Sequence, residues 1–303
     1  MINELTIALP VYNRTDFVRE ALDSAINQSV PCTVLLIDNN SPHNDFKEIL
    51  DSYHYPHAKY VRTSETVPQD ENFNNCFRYA ETPWVTILHD DDILHYQFVE
   101  HTRELLKKHG EKIGGMTFKS HVSDVVWNGL KTPVNMNVNA RIVREPFFFF
   151  SHLTPFPGVV VKTESALELG GFVNDLHPIA DFDFWYRYSM KETMLLVEQT
   201  MAYYRISPAQ STNHLVKAMI NDLYSYRLSL IQKSGYDNFL SRLGLEETRL
   251  TNIEFFTRTY NKLELPEKII NEDRMNRAKK RLGSRILRKI LRMYKQRISF
   301  SNP

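Results

Sequence analysis

The chain has 303 residues, 42% hydrophobic and 24% charged, the composition of a globular protein with ample chain to bury a core. Eighteen Phe, 15 Tyr and three Trp exclude disorder as the main state; two cysteines, Cys32 and Cys76, exclude a disulfide framework and point to a reducing compartment. The net charge of +1 hides an asymmetry, because residues 274–303 carry 11 Lys or Arg and no Asp or Glu, leaving the other 273 at a net of −10.

Residues 5–9 are a short apolar run closed by Pro10, which reads as a buried strand. Glu4, with no basic stretch before the run and no cleavage site, reads against a signal peptide, and the most apolar stretches, such as 30–37, fall far short of the roughly 18 residues of a membrane span. Thr15 or Asp16 is the expected cap of a helix with Phe17, Val18, Ala21, Leu22, Ala25 and Ile26 at helical spacing. A second buried strand, 34–37, ends at the turn-forming Asp38-Asn39-Asn40-Ser41-Pro42. A helix over 44–53, a strand near 59–61, a helix over 69–79 and a strand over 84–88 follow, the last running into His89-Asp90-Asp91-Asp92. Strands alternating with helices of about ten residues predict an α/β fold with a parallel, doubly wound sheet. From 114 to 143 the pattern loosens into strand-like pieces at 116–118 and 125–127. Then come the aromatic run 147–150, the proline-punctuated 155–158 and a buried strand over 159–161. A helix over 163–169 closes at Gly170-Gly171, another runs over 181–190 after Pro178, a strand over 194–197 leads to a loop over 203–212, and the remainder reads as helical.

Ligands of such sheets sit beyond the carboxyl ends of the strands. Three polar clusters occupy those ends: Tyr12-Asn13, Asp38, and Asp90 to Asp92. Adjacent carboxylates repel unless a cation separates them, so the triple aspartate is either a Mg²⁺ or Mn²⁺ site working with substrate phosphates or a solvated acidic turn. Asp38 either hydrogen-bonds a nucleotide's base or ribose or opens an Asx turn. No G-x-G-x-x-G follows the first strand, which reads against a nicotinamide or flavin dinucleotide, and no G-x-x-x-x-G-K appears, so there is no Walker-type phosphate loop. Asp181, at a helix start, is a candidate general base or an N-cap, with Asp183 next. Arg205 suits a diphosphate, since a guanidinium matches phosphate geometry in a bidentate way; His177 and His214 are candidate phosphate or metal contacts; Trp185 and Tyr186 read as core.

Thr6-Ile-Ala-Leu-Pro-Val-Tyr-Asn-Arg14, Leu36-Ile-Asp-Asn-Asn-Ser41 and Ile87-Leu-His-Asp-Asp-Asp-Ile-Leu94 resemble, in order and spacing, the nucleotide-sugar half of family 2 glycosyltransferases. Gly158-Val-Val-Val, Leu169-Gly-Gly-Phe172 and Ala180-Asp-Phe-Asp-Phe-Trp-Tyr-Arg187 look like that family's acceptor half, and Tyr204-Arg205 with Gln210-Ser211 like its closing loop. The resemblance covers residues 4 to about 214. It implies a GT-A fold, Rossmann-like, with a mostly parallel sheet flanked by helices, and inverting transfer of a sugar from a nucleotide diphosphate donor. Carried over residue by residue, Pro10, Tyr12 and Asn13 would line the base and ribose pocket and Asp38 would bond the base. Asp90 would contact ribose, Asp91 would bind the metal, Mn²⁺ or Mg²⁺, and Asp181 would be the base; Asp92 and His214 are further candidate metal ligands on their residue types alone. His89 stands where the family has an acidic residue, and Ala180 where it has Glu. The expected division is a transferase domain over 1–212, split near 113 into donor and acceptor halves, a helical extension over 213–273 and a basic tail over 274–303.

Within that tail, Leu282, Ile286, Leu287, Ile290, Leu291, Met293, Tyr294 and Ile298 fall on one half of a helix and six of seven cations on the other. This is the pattern of a helix over 281–298 lying on an anionic membrane, or of one docked on the acidic body; nucleic acid is not an expected partner, since no aromatic-plus-basic platform accompanies it. The sequence therefore predicts a cytoplasmic enzyme, held peripherally at the inner face of the cell membrane. It would transfer sugar from a nucleotide donor, UDP by preference, to a saccharide or polyprenyl-linked saccharide. The rivals are a non-catalytic nucleotide-sugar or saccharide binding protein and, more distantly, a metal-dependent phosphoesterase.

Overall fold

Seven consecutive buried residues, Leu5–Val11, form β1 at the heart of the sheet, because a strand covered on both faces has no solvent side to reserve for polar groups. A computed structural model describes residues 4–143, 155–207 and 212–233, with scattered positions between 235 and 253. Around β1, the strands β2 (Thr33–Asp38), β3 (Ala58–Arg62) and β4 (Trp84–Ile87) pair in parallel in the order β3-β2-β1-β4. Helices α1 (Val18–Ile26), α2 (Asp45–Asp51) and α3 (Gln69–Tyr79) make the crossovers. α1 begins later than Thr15 or Asp16 predicted: Phe17 is its N-cap residue, without a side-chain cap. Its buried Val18, Ala21, Leu22 and Ala25, at 3.6-residue spacing, pack into the same core as Leu5, Ile7 and Leu9.

Beyond β4 the sheet is mixed. β5 (Ile93–Leu94), β6 (Gly115–Ser123), β7 (Ala140–Val143), β8 (Val159–Lys162) and β9 (Met194–Arg205) continue it as β4-β8-β6-β9-β5, with β7 also on β9. The β4–β8, β8–β6, β5–β9 and β7–β9 pairs are antiparallel, while β6–β9 is parallel. Helix α4 (Phe98–His109) packs Phe98, Val99, Leu105 and Leu106 into the core. Residues 125–127, expected as strand, are not one; Val125 is exposed and Trp127 leads into a 3-10 turn. β9 instead runs eight residues past its predicted end at 197, since the outer half of β6 pairs Ser120–Ser123 with Ala202–Arg205.

Helix α5 (Thr163–Glu168) ends as predicted at two left-handed glycines, Gly170 (φ +82°) and Gly171 (φ +68°). They differ in surroundings. A Cβ on Gly170 would meet nothing within 4 Å, whereas one on Gly171 would sit 2.1 Å from Asn74 Oδ1. Asn74, buried on α3, accepts the Phe172 N–H (2.7 Å) and donates to the Phe172 carbonyl (3.0 Å), so it cannot withdraw. Gly171→Ala is therefore expected to lower unfolding free energy by about 1–3 kcal/mol more than Gly170→Ala, read by urea denaturation; equal losses would contradict this packing.

Helix α6 (Ala180–Lys191) leads into β9. The chain divides into two units, Met1–Arg144 with Thr154–Ile206, and Glu145–Leu153 with Ser207–Pro303. The second contains helix α7 (Thr212–Lys233), which buries Val216, Ile220 and Leu223. No helix among the described residues is long and apolar enough to cross a membrane. Residues 147–150, Gln210, Ser211 and the amphipathic 281–298 lie outside the described residues.

Candidate active site

The carboxyl ends of β2, β1 and β4 lie side by side, adjacent parallel strands being ~4.8 Å apart, and a chain of hydrogen bonds joins them. Asp38, fully buried at the end of β2, accepts the Ser41 N–H at Oδ1 (2.9 Å) and the Tyr60 hydroxyl at Oδ2 (2.6 Å). The first contact is the Asx turn that the Asn39-Asn40 sequence suggested. Ser41 Oγ in turn accepts the Asn13 N–H (3.0 Å), and His43 Nε2 donates to the Asn13 carbonyl (3.0 Å). Asn13 takes the left-handed φ of +58° that Asn tolerates, with both of its backbone polar groups held by the loop after β2. Tyr12 beside it is 49% exposed, and Pro10 is buried within β1.

The next residue, Arg14, crosses to the end of β4. Its Nη2 donates to Asp90 Oδ1 (2.6 Å) and to Asp91 Oδ2 (2.8 Å), and its Nε to Asp90 Oδ2 (3.3 Å). Asp91 also belongs to a second group. His89, Asp91 and Asp92 offer ligand atoms that all lie within 4.8 Å of one another. His89 Nε2 and Asp92 Oδ2 are buried without a hydrogen-bond partner, and His89 Nδ1 stands 3.8 Å from Asp92 Oδ2. Burial, followed by the charge of Asp91, pushes the Asp92 carboxyl well above the usual carboxylate range, and burial lowers the His89 imidazole, keeping it neutral. A neutral imidazole and two carboxylate oxygens are the donor set a Mn²⁺-type ion accepts, and a cation would reverse the electrostatic strain on Asp92. The residues fit a divalent metal.

Arg205, on β9, closes the other side. Its backbone N–H donates to Asp92 Oδ1 (3.0 Å), its Nε to the Asp91 carbonyl (2.8 Å) and its Nη2 to Glu20 (2.6 Å), while its guanidinium lies 4.3 Å from the Phe17 ring centre. Its guanidinium thus braces the aspartate turn from behind. His214 lies in α7 with its side chain outside the described residues.

Asp181 opens α6, and its Oδ1 accepts the Phe182 N–H (2.7 Å). Burial pushes its carboxyl up to about 6; the Phe182 N–H opposes the shift and the charge of Asp70 adds to it. Asp70, buried in the first turn of α3, stands 3.8 Å from the exposed His177. One aromatic cluster connects this carboxylate group with the metal trio. Phe73, one turn along α3 from Asp70, stacks on His89 (5.1 Å), and Phe156 lies 4.5 Å from His89 and 5.7 Å from Trp185 of α6. Asp183 is instead buried in an ion pair with Arg187 (2.6 Å), whose Nη atoms also hold the Leu169 and Gly171 carbonyls. That is a structural role. Trp185 is core, as read, while Tyr186 is half-buried.

Arg14, His89 and Asp70 were not singled out as site residues by sequence reasoning. Arg14 and His89 sit inside the very segments that carried the resemblance; the signal for Arg14 was a lone cation at a strand end facing a triple carboxylate. Asp70 gave none, reading as an ordinary acidic residue in a first helical turn.

Residues 6–159 match the family model described as glycosyl transferase family 2. An uncharacterized protein of Mycobacterium tuberculosis, MT1568, is 20% identical over 239 residues, covering 74% of each chain. A crystal structure of S. aureus TarS superposes with a TM-score of 0.58 at 15% identity over 84% of this chain, which spans only 43% of that one. TarS 1–349 in complex with UDP-GlcNAc gives 0.58 at 14% identity, covering 84% and 81% of the two chains. The mannosyltransferase PcManGT from Pyrobaculum calidifontis, in complex with GDP-Man and Mn²⁺, gives 0.58 at 12% identity, covering 91% and 80%. At these identities the likeness is one of fold, the GT-A arrangement of a mostly parallel sheet flanked by helices.

Proposed function

The chain belongs to glycosyl transferase family 2, and on that footing we propose that it is a metal-dependent, inverting glycosyltransferase. It moves a hexose from a nucleotide diphosphate donor, preferably a UDP-sugar, to a saccharide or polyprenyl-linked saccharide. The observation that carries this reading is the His89, Asp91 and Asp92 group, whose ligand atoms all lie within 4.8 Å of one another and in which Asp92 Oδ2 is buried without a hydrogen bond, at the same strand ends as Asp38 and Asn13. The nucleotide sugars in the TarS and PcManGT complexes, UDP-GlcNAc and GDP-Man, support a nucleotide-sugar donor, and the Mn²⁺ of the latter supports a divalent ion.

His89, Asp91 and Asp92 would hold Mn²⁺ or Mg²⁺, which when bound offsets negative charge on the departing diphosphate. In this reading Pro10, Tyr12, Asn13 and Asp38 would line the base and ribose pocket and Asp90 would contact the ribose, while Arg205, bonded to the Asp91 carbonyl and to Asp92 Oδ1, would keep the aspartate turn in position for the diphosphate. Asp181 takes the proton of the acceptor hydroxyl as that oxygen bonds to the anomeric carbon and the carbon–phosphate oxygen bond breaks, its electron pair leaving with the diphosphate. A carboxyl raised to about 6 suits this task, because a base works best when its pKa approaches the working pH. Loss of transfer with retained donor binding in Asp181→Asn tests the reading; a binding protein of the same fold would show no transfer to lose.

The basic, amphipathic 281–298 would lay the enzyme on the anionic cytoplasmic leaflet, where each cation contributes ~1 kcal/mol, and bring it to a lipid-linked acceptor. Co-sedimentation with phosphatidylglycerol vesicles is expected for the full chain and lost on deleting 281–298; equal behaviour of the two would contradict it.

A further inference from the structure

Asp91 serves two masters in this structure. One oxygen is taken by Arg14, whose fork also grips both oxygens of Asp90, and the residue is shared with the His89–Asp92 group. Arg14 lies between β1 and α1, 76 and 77 residues from its partners, so the contact is a designed feature of the fold rather than a neighbour effect along a helix. Its side chain is 27% exposed, with a way out to solvent, while those of Asp90 and Asp91 are 15% and 7% exposed. Asp92, fully buried, keeps an oxygen without any hydrogen bond, as does His89 at Nε2. The aspartate cluster is therefore half neutralised: Arg14 satisfies the Asp90–Asp91 side and leaves the His89–Asp92 side open.

We propose that Arg14 is a built-in competitor of the divalent cation, a counter-ion that holds one oxygen of Asp91 in the donor-free protein and weakens the ion's hold on that carboxylate. The inference rests on the metal site of the preceding reading. Two cations draw on the charge of one carboxylate at each other's expense, so the coupling between them lowers the ion's affinity and, reciprocally, the ion weakens the Arg14 contact. A guanidinium fork makes the competition stronger than a point charge would, because it engages Asp90 and Asp91 together. The consequence is an enzyme that holds its ion weakly until donor phosphates add their own ligands, so that cation and nucleotide sugar are taken up together.

Mn²⁺ alone is the probe, titrated into the full-length protein by calorimetry, with no donor or acceptor. Arg14→Gln is expected to bind Mn²⁺ about tenfold or more tightly than the unaltered protein. Arg14→Lys, which keeps the charge and loses the fork, is expected to fall between them. Unchanged or weaker binding by Arg14→Gln overturns the proposal, as does an Arg14→Lys indistinguishable from the unaltered protein, which would reduce Arg14 to a distant repulsive charge. Should Arg14→Gln fail to fold by circular dichroism, Arg14→Lys carries the comparison. Asp92→Asn separates the two readings: Mn²⁺ binding that survives it puts the ion elsewhere and overturns both, whereas loss of binding there with no gain in the Arg14 variants overturns only the competition.

Discussion

Asp181→Asn is expected to lower the turnover of sugar transfer by about 10²- to 10⁴-fold and to leave donor affinity where it was. The amide is nearly isosteric and still offers an oxygen to the Phe182 N–H, so the start of α6 survives; what disappears is the carboxylate proposed to take the acceptor's proton. Asp183→Asn, two residues on, should behave differently. Its carboxylate is buried against Arg187, so its loss weakens the fold before it touches chemistry. The pH dependence follows from the same carboxyl. Because burial pushes Asp181 up to about 6, kcat/KM should fall as pH drops through about 6, not near the ordinary value of 3.8. The sign for stability is the reverse: the folded chain holds this proton more tightly than the unfolded one, so the contribution of this group is greatest in acid and is lost as pH rises from about 4 through about 6. An acid limb near 4 in the unaltered enzyme would contradict a base raised to about 6.

Asp91→Ala is expected to abolish metal-dependent donor binding and to reduce kcat/KM by at least about 10³-fold, several kcal/mol of leaving-group stabilisation being at stake. The alanine removes a carboxylate grouped with His89 and Asp92 and also frees one prong of Arg14. It differs in kind from Asp181→Asn: binding and chemistry fall together rather than chemistry alone. Retained Mn²⁺-dependent donor binding in Asp91→Ala would remove this residue from the metal site.

Where the fold is built from local repetition, the sequence announces it. The strand–helix alternation from Leu5 to Ile87 and the glycine pair closing α5 follow from residue spacing and backbone freedom, which neighbours in the chain carry by themselves. β9 shows where that stops. Glu198, Gln199 and Thr200 look like the end of a strand, yet the strand continues through them because the register with β6 shifts between Thr117 and Ser120 and absorbs the polar residues at an irregularity. Likewise the aspartates at the end of β4 were visible as a charge that needed a cation, but not that Arg14 supplies part of it, since a contact across 76 residues leaves no periodic trace. The Asx turn at Asp38 was legible from its asparagines; the Tyr60 hydroxyl on its other oxygen, contributed by the neighbouring strand, was not.

The central claim is that these carboxylates hold a metal ion and a nucleotide sugar together, and thermal denaturation across a panel of UDP-, GDP- and TDP-sugars reads it most directly. With Mn²⁺ present, at least one donor at 100 times its dissociation constant should add ~2.7 kcal/mol and raise Tm by several degrees. The rise should persist in Asp181→Asn and vanish in EDTA and in Asp91→Ala. A panel in which no nucleotide sugar moves Tm, or in which the rise is the same with EDTA, would contradict the account.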